Sequence, residues 1–240
     1  MRWMFDGAQS PAGFRRWGAL VGFLWFSALM AVSAGQDPKV SVCATTGMVA
    51  DLAQGVGGDA VTVHALMGPG VDPHLYKATA SDLVRLQRAD LILYNGLHLE
   101  GRMQETFERL SRSGRRVRAV TDRLPRERLI RTGTEGIHDP HVWFDVRLWA
   151  DCIDGVAREL ASLRPASEGR FLARAALLRE RWIELDRWAR GRVAAVPESR
   201  RILVTSHDAF SYFGRAYGFQ VVALQGISTV TEAGLADMTQ

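Results

Sequence analysis

Cysteine is nearly absent: the 240-residue chain has two, Cys43 and Cys152. Two thiols cannot build the disulfide framework of a small secreted domain, and neither has a second cysteine at metal-ligand spacing. Cys43 falls in an apolar run that reads as a strand and Cys152 in one that reads as a helix, so two buried free thiols are expected. No His-Glu-x-x-His pair is present, and none of the related zinc-hydrolase signatures. A stripe of one charge is also missing: the formal net charge is +4, carried by scattered arginines. Their densest group, Arg115, Arg116 and Arg118, follows an expected helix end, where cations are favoured. No RNA- or DNA-binding motif accompanies it, and no nucleic-acid partner is expected. What is there is ordinary globular composition, 47% hydrophobic and 23% charged, enough to bury a core in one large domain or two small lobes.

The N-terminus is the first informative segment. Arg2, Arg15 and Arg16 precede an uncharged stretch, Trp17 to Ala34, that closes on Val32-Ser33-Ala34. Basic residues, an apolar run and small residues at its end are the parts of a secretory signal peptide, here residues 1–34, with a mature chain starting near Gly35. An uncleaved anchor is the other reading, because the run is close to the ~18 residues that span a bilayer. No cysteine ends the run, so a lipoprotein anchor is not expected. Either way the chain is exported, and a periplasmic location follows.

Beyond it, strands and helices alternate. Lys39 to Ala44, Ala60 to Met67, Asp90 to Tyr94 and Val117 to Val120 read as strands. Between them lie a helix capped by Thr45 or Thr46 and stopped at Gly57-Gly58, a helix capped by Ser81, and a helix from Gly101 to Leu110. This repetition predicts an α/β fold with a parallel sheet covered by helices. Arg147 to Leu163 reads as one helix, broken at Arg164-Pro165. A longer helix runs from about Ser167 to Val196, and at ~45 Å it can reach from one lobe to another. The βα pattern then restarts with a strand at Arg201 to Val204, a helix at Phe210 to Tyr217 and a strand at Phe219 to Leu224. Ser228 to Gln240 reads as a cap and the opening of another helix. The expected division is residues 35–165, an N-terminal metal-binding lobe; 166–197, a linking backbone helix; and 198–240, a partial C-terminal lobe. The second lobe is expected to be incomplete and to leave apolar surface and a strand edge exposed.

Three of the six histidines occupy places suited to binding. His74 follows a strand in the rigid loop Gly68-Pro69-Gly70-Val71-Asp72-Pro73, His141 closes a second Asp-Pro-His, and His207 lies just beyond the strand Ile202-Leu203-Val204. Ligands of open α/β sheets bind outside the carboxyl ends of strands. Proline before histidine fixes the backbone, leaving the imidazole little entropy to lose. Three neutral imidazoles suit Zn²⁺, and Mn²⁺ where carboxylates complete the shell. Spacing alone leaves both a shared metal and separate loop histidines open. Asp72, Asp139 and Asp208 read first as turn and cap residues, and as braces for the adjacent histidines second. His64 reads as structural, His98 as a packing residue, and His138 as a loop residue near His141.

Four strings in order carry a resemblance: Leu66 to His74 (LMGPGVDPH), Ala89 to Glu100 (ADLILYNGLHLE), Asp139 to Asp145 (DPHVWFD) and Thr205 to Phe210 (TSHDAF), with Gly226 to Thr229 and Glu232 in support. Here the chain resembles the cluster A-I, TroA-like substrate-binding proteins, the zinc/manganese receptors of bacterial ABC transporters. The resemblance implies two βα lobes joined by one long helix, with metal as transported ligand in the cleft between them. It carries the metal ligands over as His74, His141 and His207. A histidine rather than a glutamate in the third position favours Zn²⁺, with Mn²⁺ open. The family's fourth ligand, an aspartate late in the C-terminal lobe, has no match here; Asp237 does not occupy that place. The implied partner is an ABC permease in the inner membrane, and the receptor is expected to be a monomer and not an enzyme. Two other functions fit parts of the sequence: a three-histidine zinc hydrolase, and a truncated remnant without function. Metal affinity is expected to fall as pH drops through about 6.5, where free histidine protonates.

Overall fold

The computed structural model describes residues 38–133 and 136–226. The signal segment, 1–34, and the closing segment from Ser228 lie outside the described residues. Strands β1 (Val40–Ala44), β2 (Val61–Ala65), β3 (Leu91–Tyr94) and β4 (Val117–Ala119) form one sheet in the order β2-β1-β3-β4. Each pairing is parallel, as the strand-helix alternation predicts. The chain leaves β1 toward β2 on one side and returns to pair β3 on the other, so the strand order reverses at β1, the position at which such sheets open a crevice.

Side-chain alternation along these strands sorts the core into two layers. Val42, Ala44, Leu91 and Leu93 face helix α1 (Gly47–Gly57) and helix α5 (Ile153–Leu163), packing on Val49, Leu52, Val56, Val156 and Leu160. Cys43 and Ile92 face the other way, onto Leu86 of helix α2 (Ala80–Arg88) and Phe107 and Leu110 of helix α3 (Gln104–Arg112). Both cysteines are free and buried, as expected. Helix α6 (Glu168–Ala194) packs on α1, α4 (Val146–Ala150) and α5. Its 27 residues extend about 40 Å. Strands β5 (Ile202–His207) and β6 (Gln220–Gln225) make a second, two-stranded parallel sheet, with helix α7 (Ser211–Tyr217) between them. Ile202, Val204, Val222 and Leu224 on this sheet are exposed. Among the described residues no helix is long and apolar enough to cross a membrane.

Three local expectations are corrected. Helix α2 is capped by Thr79, not Ser81: Thr79 accepts from the Asp82 amide, and the Asp82 carboxylate accepts from the Thr79 amide in return. That reciprocal pair satisfies two otherwise unpaired donors, where Ser81 would satisfy one. The expected single helix from Arg147 is two helices. The amides of Asp151 and Cys152 bond to carbonyls three residues back, at Leu148 and Trp149, tightening the turn. Arg128 and Arg179 hold the Asp151 carboxylate there. Finally, His207 is the last residue of β5 rather than lying beyond it, so strand alternation decides which way it faces.

Gly96 follows β3 with φ +90°, and a Cβ there would sit 2.7 Å from Thr121 Oγ1 and 2.8 Å from the Ala119 Cβ. Both the backbone conformation and the close approach exclude a side chain. Gly96→Ala should destabilise the protein by about 3 kcal/mol, from left-handed strain plus overpacking. Urea unfolding of the variant checks this.

Candidate metal centre

Each of the three singled-out histidines is aimed by its own local chemistry. The His74 amide donates to Asp72 Oδ1 at 2.8 Å, closing a tight turn over Pro73. At His141 the same turn forms, with its amide on Asp139 Oδ1 at 2.9 Å. There the carboxylate also meets the ring, with Nδ1 of His141 2.7 Å from Asp139 Oδ1. His207 is set by the β5 backbone, whose alternation buries Leu203, Thr205 and His207 in part and exposes the residues between. Asp208 does not brace its histidine in this way; its Oδ1 accepts from the Ser211 hydroxyl as helix α7 begins. The repeated Asp-Pro-His is therefore a device for orienting imidazoles at His74 and His141, with Asp139 serving both backbone and ring.

The structure brings the three rings together. His74 and His141 are buried, at 5% and 2% exposure, and His207 is half-buried. Their ring centroids lie 5.2, 5.5 and 6.0 Å apart. One nitrogen from each falls within 4.8 Å of the others, and among the described residues no carboxylate joins this group. Nε2 of His74 and Nε2 of His141 face each other at 3.2 Å. With Nδ1–H donated to Asp139, the neutral His141 ring presents a lone pair at Nε2. The rings line a cleft of about 560 Å³ whose walls include Met48, Val71, Trp143, Phe144 and Phe210. Such a set of imidazoles in an apolar surround suits a borderline divalent cation. Burial first, and the neighbouring His141 and His207 rings after it, lower the His74 pKa from 6.5 to about 4, against an opposing pull from Asp72. For this ring, proton competition moves well below the pH of about 6.5 expected of a free histidine.

The other histidines stay outside the group. His64 is exposed on β2 and His98 is exposed at φ +64°. His138 pairs with Arg131 in an isolated antiparallel bridge. Two residues that the sequence did not single out matter more. Glu100 is buried, its Oε1 accepting from the Thr45 hydroxyl at 2.6 Å and the Asn95 amide at 2.7 Å. Burial raises its pKa, and these bonds oppose the rise. Asn95, held in this way, donates from Nδ2 to the Pro140 carbonyl at 3.0 Å. The carboxyl end of β3 is thereby tied to the peptide next to His141. Both lie in the string ADLILYNGLHLE, but nothing in that string shows their roles, which depend on Thr45 and Pro140, 55 and 45 residues away.

The chain is similar to known proteins over most of its length. Residues 42–240 match the family model described as zinc-uptake complex component A, periplasmic. The manganese-binding lipoprotein MntA of Bacillus subtilis is 43% identical over 210 residues, 87% of this chain and 68% of that protein. The zinc-binding protein TroA of Treponema pallidum is 45% identical over 223 residues, 93% of this chain and 71% of TroA. The solved periplasmic zinc-binding TroA superposes with a TM-score of 0.78 at 46% identity, covering 83% of this chain and 72% of that structure.

The lowered His74 pKa has a signed consequence for the metal-free protein. Between pH 6.5 and about 4 the unfolded chain takes up a proton that the folded chain refuses. The stability from a neutral His74 is fully present above pH 6.5 and is lost as pH falls toward 4, because the unfolded state binds more protons there. Urea midpoints measured across this window should fall with pH, and His74→Gln should flatten the slope.

Proposed function

The chain belongs to the periplasmic zinc-uptake component A family, and from that premise we propose that it captures Zn²⁺, with Mn²⁺ second, and delivers it to an ABC permease in the inner membrane. His74, His141 and His207 are the ligands. The observation that carries this reading is the convergence of three imidazole nitrogens within 4.8 Å in one cleft. A tetrahedral ion 2.0–2.1 Å from each nitrogen would hold neighbouring ligand atoms about 3.3 Å apart, and the Nε2 atoms of His74 and His141 are 3.2 Å apart. A set of nitrogens favours zinc; manganese prefers more oxygen. The relatives named for zinc and for manganese support both as cargo.

In this reading residues 35–165 supply His74 and His141, the helical segment 166–197 links, and residues 198–240 supply His207, so the ion sits between two lobes. Residues 1–34 are the export signal, and the receptor acts as a monomer in the periplasm; relatives described as periplasmic or as lipoproteins support an extracytoplasmic site. The ion is cargo and catalyses nothing. The mainly apolar cleft wall, with Val71, Trp143, Phe144 and Phe210, supports this reading over hydrolysis.

The test is a titration of the chelator-treated full chain with Zn²⁺ and Mn²⁺. One equivalent should bind, with Zn²⁺ tighter. His74→Ala, His141→Ala and His207→Ala should each weaken binding by about 100-fold or more, and Asp139→Ala by about 10- to 100-fold through loss of its hold on His141. A folded chain that binds no stoichiometric metal, or three histidine variants with unchanged affinity, would refute the assignment.

A further inference from the structure

Helix α7 touches the His141 segment on both of its flanks. The Tyr212 ring is wholly buried in the main core although α7 belongs to the β5–β6 sheet. Its hydroxyl donates to the Asp139 carbonyl at 3.0 Å and accepts from the Ile130 amide at 3.0 Å. Ile130 and Asp139 are themselves bonded, the Asp139 amide donating to the Ile130 carbonyl at 2.9 Å. One turn on, Arg215 lies over the Tyr212 ring at 4.9 Å and reaches the Arg128 carbonyl at 2.7 Å and Asp145 Oδ2 at 3.4 Å. Asp145 caps α4 through its other oxygen, which accepts from the Leu148 amide. The two side chains thus hold residues 139 and 145, on either side of His141, and they stand on the helix that begins four residues after His207. Phe210, between His207 and α7, packs on Phe144 with ring centroids 4.3 Å apart.

We propose that Tyr212 and Arg215 are positioning residues for the metal centre, forming a clamp that fixes His141 and His207 relative to each other before the ion arrives. This rests on the metal-receptor reading above. The ligands come from separate stretches of chain, and without a fixed joint each binding event would have to order one against the other. A clamp set in the free protein removes that cost and slows release, because one imidazole cannot swing away from the ion while the other holds. The Tyr212 phenol suits the role: burial foremost pushes its pKa up to about 12, so it stays a protonated donor. The same contacts also explain why a full aromatic side chain with a polar tip is enclosed here: its ring fills the core while its hydroxyl finds both a donor and an acceptor.

The experiment uses the full chain loaded with Co²⁺, whose visible absorption reports ligand geometry, together with the rate of release to a chelator. Tyr212→Phe keeps the ring and removes only the hydroxyl; Arg215→Met acts at a more exposed position and tests the clamp independently if the first variant folds poorly. Both should still bind one equivalent, with a shifted Co²⁺ band and release faster by about 10-fold. Leu52→Ala, on the buried face of α1, should lower thermal stability and leave band and release rate unchanged. Parent-like spectra and release in both clamp variants would overturn the clamp alone. Failure of the parent chain to bind Co²⁺ would overturn the metal reading and the clamp with it.

Discussion

Asp139 is enclosed by protein, and one oxygen of its carboxylate meets both the amide and the ring of His141. The histidine cluster depends on this contact. A buried carboxylate is costly unless its lone pairs are satisfied, and here Oδ1 is used twice while Oδ2 has no partner among the described residues. What the arrangement achieves is a single tautomer and a single ring direction for His141, with Nε2 turned toward His74. A histidine whose other nitrogen is bonded to a carboxylate is also a better electron donor to a cation.

The rest of the fold keeps that contact in place. At the carboxyl ends of β1 and β3, Glu100 gathers Thr45 and Asn95, and Asn95 holds the Pro140 carbonyl. From the opposite side Tyr212 takes the Asp139 carbonyl. The segment bearing His141 is therefore bonded to the first sheet and to the helix of the second. Further along, Asp186 of α6 is buried and pairs with Arg147 of α4 and Arg190 of its own helix, and Arg190 reaches the Ala216 carbonyl at the end of α7. Polar groups are thus interred along the line where the two sheets meet through helices. Apolar side chains of equal volume could fill the same space with less desolvation, but they would not fix the direction of the loops.

Much of this was legible beforehand, for reasons of range. Helix α1 is capped by Thr46, one of the two threonines that the sequence offers, and stops at Gly57–Gly58, because capping and glycine stops act over a few residues. The cap of α2 is Thr79 rather than Ser81, although the spacing Thr79-x-x-Asp82 is itself a local capping-box pattern. The break between α4 and α5 carries no proline or glycine; it is held by Arg128 and Arg179 on Asp151, contacts across 23 and 28 residues. For the site, the Asp-Pro-His turns announced which histidines would be fixed in loops. They said nothing of Asn95, Glu100, Tyr212 or Arg215, whose roles exist only through their partners.

The sequence by itself determined the parallel α/β class, the loops that carry histidine and the family to which they belong. Periodicity, turn chemistry and motif order are local properties that a chain retains before it folds. Only the tertiary structure decided that His74 and His141, 67 residues apart, face each other and that His207 completes the group. It alone decided that Tyr212 reaches across 73 residues to Asp139. Those meetings follow from strand order and from how α6 and α7 pack against the first sheet, and packing is a property of the whole chain that no short stretch of it encodes.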